Sequence, residues 1–297
     1  MESLPTMVSL AELRKRVQEP VSRYNDVAGV LVGDHVSIHV TRLFLAWGIS
    51  PTVATLSMLV FGVVGSVLAL YGGWYSVAGF ACVFLYYVFD CVDGEVARFH
   101  RGEKLIWGFY DFLFHLAVKA SFFVCTGIYA ARSTGRPEFF FFGLAALLAV
   151  LFQKFLLDLA VMLVSRYVLL STNESRERFA QQMTAGAAPE TLEKDGDLPG
   201  EQEPFRFHGV LASVRAVATN FDLSTLFFLA AAIADLWVPR FGVLEYSFDL
   251  KTALVVFYGV ALPLDFLDRL RWYATNGRFR AECERLLRRA HHYRLPR

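Results

Sequence analysis

Charge is scarce in this chain. Asp, Glu, Lys and Arg make up 19% of its 297 residues, against roughly 25% in a soluble globular domain, while 55% are hydrophobic and the mean hydropathy is +0.41. An ordinary soluble domain is excluded, and an integral membrane protein is expected. The net charge of +1 gives bulk nucleic-acid binding no support. Cysteine is equally sparse: Cys82, Cys91, Cys125 and Cys283 are scattered, three of them in apolar segments, which rules out a CxxC pair and a disulfide framework. Residues 1–20 carry Glu2, Glu12, Arg14, Lys15 and Arg16 but no apolar run, so no cleavable signal peptide is expected and the spans direct insertion. No internal repeat of the kind that builds transporters from inverted halves is visible.

What the chain has is apolar length. Crossing about 30 Å of hydrocarbon takes about 20 residues of helix, and six stretches qualify: 52–72, 74–97, 105–131, 138–167, 221–241 and 249–272. The fold class expected is all-α, a polytopic membrane protein with six transmembrane helices. Asp235 and Pro239 interrupt the end of the fifth. Of the 29 Lys and Arg, only Arg132, Arg136, Arg240 and Lys251 fall on one side, Lys119 and Lys154 lie within spans, and the rest fall on the other side. By the positive-inside rule both termini and the Asp90 to Lys104 turn are expected to be cytoplasmic.

Three segments flank or interrupt the spans. Residues 1–50 are expected to be cytoplasmic, with an amphipathic helix at Asp34–Trp47 placing Val36, Val40, Leu43 and Trp47 at helical spacing along the membrane surface. Pro51 then suits the first turn of the first span. Within the 51–272 membrane domain, the 171–220 loop is expected to be cytoplasmic and partly disordered, since Gln181–Pro204 is rich in Gly, Ala, Pro and acids. Residues 273–297 form a basic tail, read either as a helix on anionic headgroups or as a solvated segment that fixes topology.

The informative segment is Asp90-Cys-Val-Asp93-Gly94-Glu-Val-Ala97-Arg98, followed by Asp111 and His115. An ionisable group within a span costs roughly 2.5–3.5 kcal/mol on insertion scales, so this cluster calls for metal, partner charge or water. In a helix Asp90, Asp93 and Ala97 share one face, and so do Asp111 and His115 on the next. The short turn with Arg101, Gly102 and Lys104 makes the two helices antiparallel neighbours, letting the polar faces converge on Mg²⁺ or Mn²⁺, which prefer carboxylate and phosphate oxygens. Gly94 and Ala97 allow close approach, and Arg98 can pair with a phosphate. A lone Asp-x-x-Asp at a span end is commonly only a solvated helix terminus. The complete spacing goes further.

The segment resembles the signature of the CDP-alcohol phosphotransferase (CDP-alcohol phosphatidyltransferase) family, Asp-x2-Asp-Gly-x2-Ala-Arg-x8-Gly-x3-Asp-x3-Asp, with Asp90, Asp93, Gly94, Ala97, Arg98 and Asp111 in place. Pro51-Thr52-x2-Thr55 is similar to the family's Pro-Asn-x2-Thr. Two positions depart: the family Gly falls one residue late, at Gly108, and the fourth Asp is His115. The resemblance implies an enzyme of phospholipid biosynthesis. Such an enzyme transfers a phosphatidyl or other substituted phosphate group from a CDP-linked donor, CDP-diacylglycerol or similar, to an alcohol acceptor and releases CMP. It implies Mg²⁺ or Mn²⁺ on Asp90, Asp93 and Asp111, nucleotide contacts from Gly94, Ala97, Arg98, Gly108 and Thr55, and general-base work at His115. It further implies a homodimer among membrane lipids with the active site at the cytoplasmic face, in a prokaryotic plasma membrane.

Imidazole, with an ordinary pKa of about 6.5, suits proton transfer at neutral pH. It also removes one negative charge from the cluster, so a catalytically impaired nucleotide- or lipid-binding relative is the alternative. Lys119, one turn past His115, and Lys154, paired at i,i+4 with Asp158, are possible acceptor-binding residues; snorkelling and an intramembrane ion pair are their other readings. Asp265, Asp268 and Arg269 either line an acceptor cavity or cap the last span.

Overall fold

The computed structural model describes residues 8–24, 27–100, 105–170, 210–243, 246–275, 279 and 283. Residues 171–209, with the Gln181–Pro204 stretch, and the basic tail beyond 275 apart from 279 and 283 lie outside them. The chain divides into two compact units, Met1–Leu147 with Gln202–Leu262, and Leu148–Glu201 with Pro263–Arg297.

In the first unit, α1 (Leu10–Val17) and α2 (Asp34–Ala46) precede the spans. Helix α2 is the expected amphipathic element. Its Ser37, Ile38, Thr41 and Phe44 are buried, while Val36, Leu43 and Trp47 are exposed along the other side, Trp47 by 70%. Helix α1 was not anticipated: Ser9 caps it by accepting from Glu12 N at 3.2 Å, and Leu13 and Val17 bury against Ile38. Gly48, at φ +64°, makes the left-handed break between α2 and the first span.

Helices α3 (Pro51–Leu68), α4 (Trp74–His100), α5 (Leu105–Thr134) and α6 (Phe140–Leu170) follow as expected, and α9 (Leu250–Thr275) ends the described bundle. Five helices among the described residues are long and apolar enough to cross a membrane. The protein is therefore an all-α polytopic membrane protein. Along α3, Val53, Leu56, Val60, Val64 and Val67 form one exposed stripe, a face that water would not tolerate and hydrocarbon would. Where α3 meets α4, a Cβ on Gly65 would lie 2.6 Å from the Gly79 carbonyl oxygen, so only glycine permits this backbone approach.

The fifth expected span is shorter than its apolar run. Helix α8 (Phe221–Ala234), preceded by the short α7 (Val210–Ala218) from the expected loop, has 14 residues, or about 21 Å, well under a full crossing. It ends because Asp235 is committed elsewhere: its carboxylate accepts from Leu250 N at 2.8 Å and from Lys251 Nζ at 2.7 Å, capping α9. A two-stranded hairpin, β1 (Phe241–Val243) with β2 (Tyr246–Phe248), begins at the last residue of the expected fifth span and otherwise falls in the connection to the sixth. The core of this unit is aromatic, with Phe80, Phe122 and Phe228 at centroid separations of 5.2–6.0 Å.

In the second unit, Asp265 is buried and accepts from Gln153 Nε2 and Arg269 Nε, both at 2.7 Å. Lys154 and Asp158 form the expected i,i+4 pair at 3.0 Å, with both side chains partly exposed.

Candidate functional site

Helical geometry assembles the site from four residues on two spans. Tyr86 and Asp90 lie one turn apart on α4, and Asp111 and His115 one turn apart on α5, so each pair shares a face. The faces meet. His115 Nε2 lies 3.1 Å from Asp90 Oδ1 and 3.5 Å from Asp111 Oδ1, and its Nδ1 lies 2.5 Å from the Tyr86 hydroxyl. Both ring nitrogens are thus engaged, and the tautomer decides which of them donates. Tyr86 is fully buried and stands edge-on to the imidazole at 85°. Asp90, Asp111 and His115 are half-buried, and one ligand atom from each lies within 4.8 Å of the others. Two metal bonds of about 2.1 Å span about 4.2 Å, so a small divalent cation would need at most a slight closing of the cluster.

The surroundings come from a third helix. Phe221, at the start of α8, packs edge-on against Tyr86 and Phe122 at 6.5 and 5.4 Å, and Lys119 Nζ sits 5.2 Å from the Phe221 ring centroid. Asp222 follows Phe221 in the same first turn of α8.

The other anticipated residues are placed differently. Asp93, one turn beyond Asp90, stands outside the Asp90, Asp111 and His115 group. The close approach expected at Gly94 is made by Arg98 itself: a Cβ there would lie 2.9 Å from the guanidinium. Arg98 Nε donates to the Val17 carbonyl at 2.7 Å, tying α4 to α1. Ala97 is buried, and Thr55 is buried with its hydroxyl donating to the Pro51 carbonyl at 3.2 Å. Gly108 falls in the first turn of α5. Lys119 belongs to the first unit and Lys154 to the second.

Sequence reasoning missed Tyr86, Phe221 and Glu95. Tyr86 carried a signal, four residues before Asp90, but an aromatic in an apolar run also reads as core. Glu95 sits among the motif's variable positions yet is only 2% exposed, accepting from Gln18 Nε2 at 2.8 Å, Ser37 Oγ at 2.6 Å and Thr41 Oγ1 at 2.6 Å. Phe221 is more than a hundred residues from His115, beyond the reach of local pattern.

Fold and site together define a polytopic all-α membrane protein with a carboxylate and imidazole cluster between two adjacent spans. No protein-family model matches the chain, and no match is found among curated protein sequences.

Proposed function

We propose that the chain transfers a phosphatidyl or other substituted phosphate group from a CDP-linked donor to an alcohol, releasing CMP, with a divalent cation at the cytoplasmic face of the membrane. The observation that carries this reading is the approach of Asp90 and Asp111, from adjoining spans, to one imidazole nitrogen of His115. The motif's resemblance to the CDP-alcohol phosphotransferases supplies the reaction class. Asp90 and Asp111 suit Mg²⁺ or Mn²⁺, with Asp93 joining if its side chain turns inward. When bound, the cation stabilises charge on the phosphoryl oxygens.

The chain's own residues do the proton work. His115 Nε2, which donates toward Asp90 and Asp111 as they stand, would become the base once those carboxylates turn to the cation; it then takes the proton of the acceptor hydroxyl in the tautomer whose Nδ1–H donates to the Tyr86 oxygen. The acceptor oxygen then bonds to the donor phosphorus, the bond from that phosphorus to the bridging oxygen breaks, and CMP leaves with the electron pair. Asp90 and Asp111 favour the imidazolium that results.

Labelled CDP-diacylglycerol, Mn²⁺ and a panel of alcohols, presented to the purified chain in lipid, test the reading by CMP release. His115→Ala should lower transfer by about 10²–10⁴-fold while sparing nucleotide binding. His115→Asp should restore substantial activity and lower the acidic limb of the pH profile. Unchanged turnover in the Ala variant would remove the base assignment. One observation favours a second reading, a nucleotide- or lipid-binding protein without turnover: the imidazole already bridges the two carboxylates, where a cation would otherwise answer their charge. Nucleotide binding with no CMP release under any acceptor would favour it.

A further inference from the structure

Glu95 lies on the side of α4 turned away from Asp90, five residues and about 140° around the helix, so it cannot join the cluster. It is almost wholly buried, and its two oxygens accept three hydrogen bonds, all from the N-terminal segment: Gln18 beyond α1, and Ser37 and Thr41 on α2. Gln18 Nε2 also donates to the Asp34 carbonyl at 2.8 Å, so the amide that reaches Glu95 is itself fixed to the start of α2. One turn on, Arg98 Nε holds the Val17 carbonyl. Apolar contact adds to these bonds, with Phe44 against Val88, Val92 and Val96, and Phe99 against Leu13, Val17 and Ile38; such contact resists separation of the helices better than rotation.

Rotation is what the cluster is sensitive to. A side-chain oxygen about 5–6 Å from a helix axis moves about 1 Å for each 10° of turn, and a misplacement of 1 Å at a reacting centre can cost about 10²-fold. The geometry points to Glu95 as a positioning residue: its bonds to Gln18, Ser37 and Thr41 set the rotation of α4 and so aim Asp90 at His115. The opposite side of α2 exposes Val36, Leu43 and Trp47, so the element that grips Glu95 also presents an apolar face to the membrane surface. The inference rests on the proposed function only in taking Asp90 and His115 as working groups.

The test uses the full chain in lipid nanodiscs with three readouts: Mn²⁺ affinity from the paramagnetic signal of the free ion, the ¹⁵N imidazole resonances of His115 assigned by their loss in His115→Gln, and the thermal midpoint. Glu95→Gln, with one acceptor oxygen for three donors, should move the His115 resonances and weaken Mn²⁺ binding about tenfold through the displacement of Asp90. Ser37→Ala and Thr41→Ala, each leaving two donors, should move both readouts in the same direction by less. If Glu95→Gln does not fold, these two decide by the same criterion. A lowered midpoint with wild-type resonances and wild-type Mn²⁺ affinity would overturn the positioning role. A wild-type chain that binds no Mn²⁺ would count against the proposed function, and the His115 resonances would still decide the role of Glu95.

Discussion

Helix α5 carries a polar cluster at each end, and the two solve the same problem differently. At the end holding Tyr129 and Ser133, the described carboxylates Asp235 and Asp249 meet a cation and a set of donors respectively. Lys251 Nζ, itself buried, lies 2.7 Å from Asp235 and 5.1 Å from the Tyr129 ring centroid. Asp249 accepts from Tyr129 at 2.5 Å, Ser133 at 3.0 Å and Thr252 N at 2.8 Å, with Arg240 at 3.8 Å. At the end holding Asp111 and His115, two half-buried carboxylates face one imidazole. Burying a charge without full compensation is expensive wherever it occurs. The first cluster is a clasp joining α5, α8 and α9; the second keeps the charge and accessibility that the proposed chemistry requires.

The sharpest way to break this contrast is to exchange the consequences of mutation. Asp111→Asn should abolish CMP release, a loss of at least about 10²-fold, with little change in the thermal midpoint. Lys251→Ala should do the reverse, leaving Asp235 buried without its cation and costing about 3–5 kcal/mol of stability, read from chemical denaturation in detergent. If Asp111→Asn proved as destabilising as Lys251→Ala, the distinction between clasp and site would fail.

Smaller effects sharpen the comparison. Tyr86→Phe removes one hydrogen bond to Nδ1 and should lower turnover about fivefold, equivalent to about 1 kcal/mol, while leaving nucleotide affinity unchanged. The clasp should respond to acid. Burial works to raise the Asp249 pKa, but hydrogen bonds from Tyr129 and Thr252 and the Lys251 charge outweigh it and hold the carboxyl below its ordinary value. A carboxyl lowered in the folded state adds stability that is complete above its unfolded pKa, about 3.9, and is lost as pH falls through the folded value. The thermal midpoint should therefore fall below about pH 4, and Asp249→Asn should flatten that limb.

Much of this arrangement could be read in advance, for local reasons. The i,i+4 spacing of Asp111 and His115, and the few residues between α4 and α5 in sequence, are enough to expect two spans' polar faces to meet. The apolar runs likewise mark the long helices α3 to α6 and α9. What escaped depends on tertiary partners. The apolar run at 221–241 cannot reveal that Asp235 is taken by the N-terminus of α9, which ends α8 early. Arg98 reads as a phosphate ligand until Val17 is brought beside it. Asp93 lies only about 60° around α4 from Asp90, yet it stands outside the group, which spacing along one helix cannot reveal.

The most direct test of the central claim is metal-dependent CMP release from labelled CDP-diacylglycerol by the purified chain in lipid. The account predicts release with Mn²⁺ or Mg²⁺, its loss on chelation, and its loss in both Asp90→Asn and Asp111→Asn. A folded wild-type chain that neither binds Mn²⁺ nor releases CMP with any alcohol would contradict it.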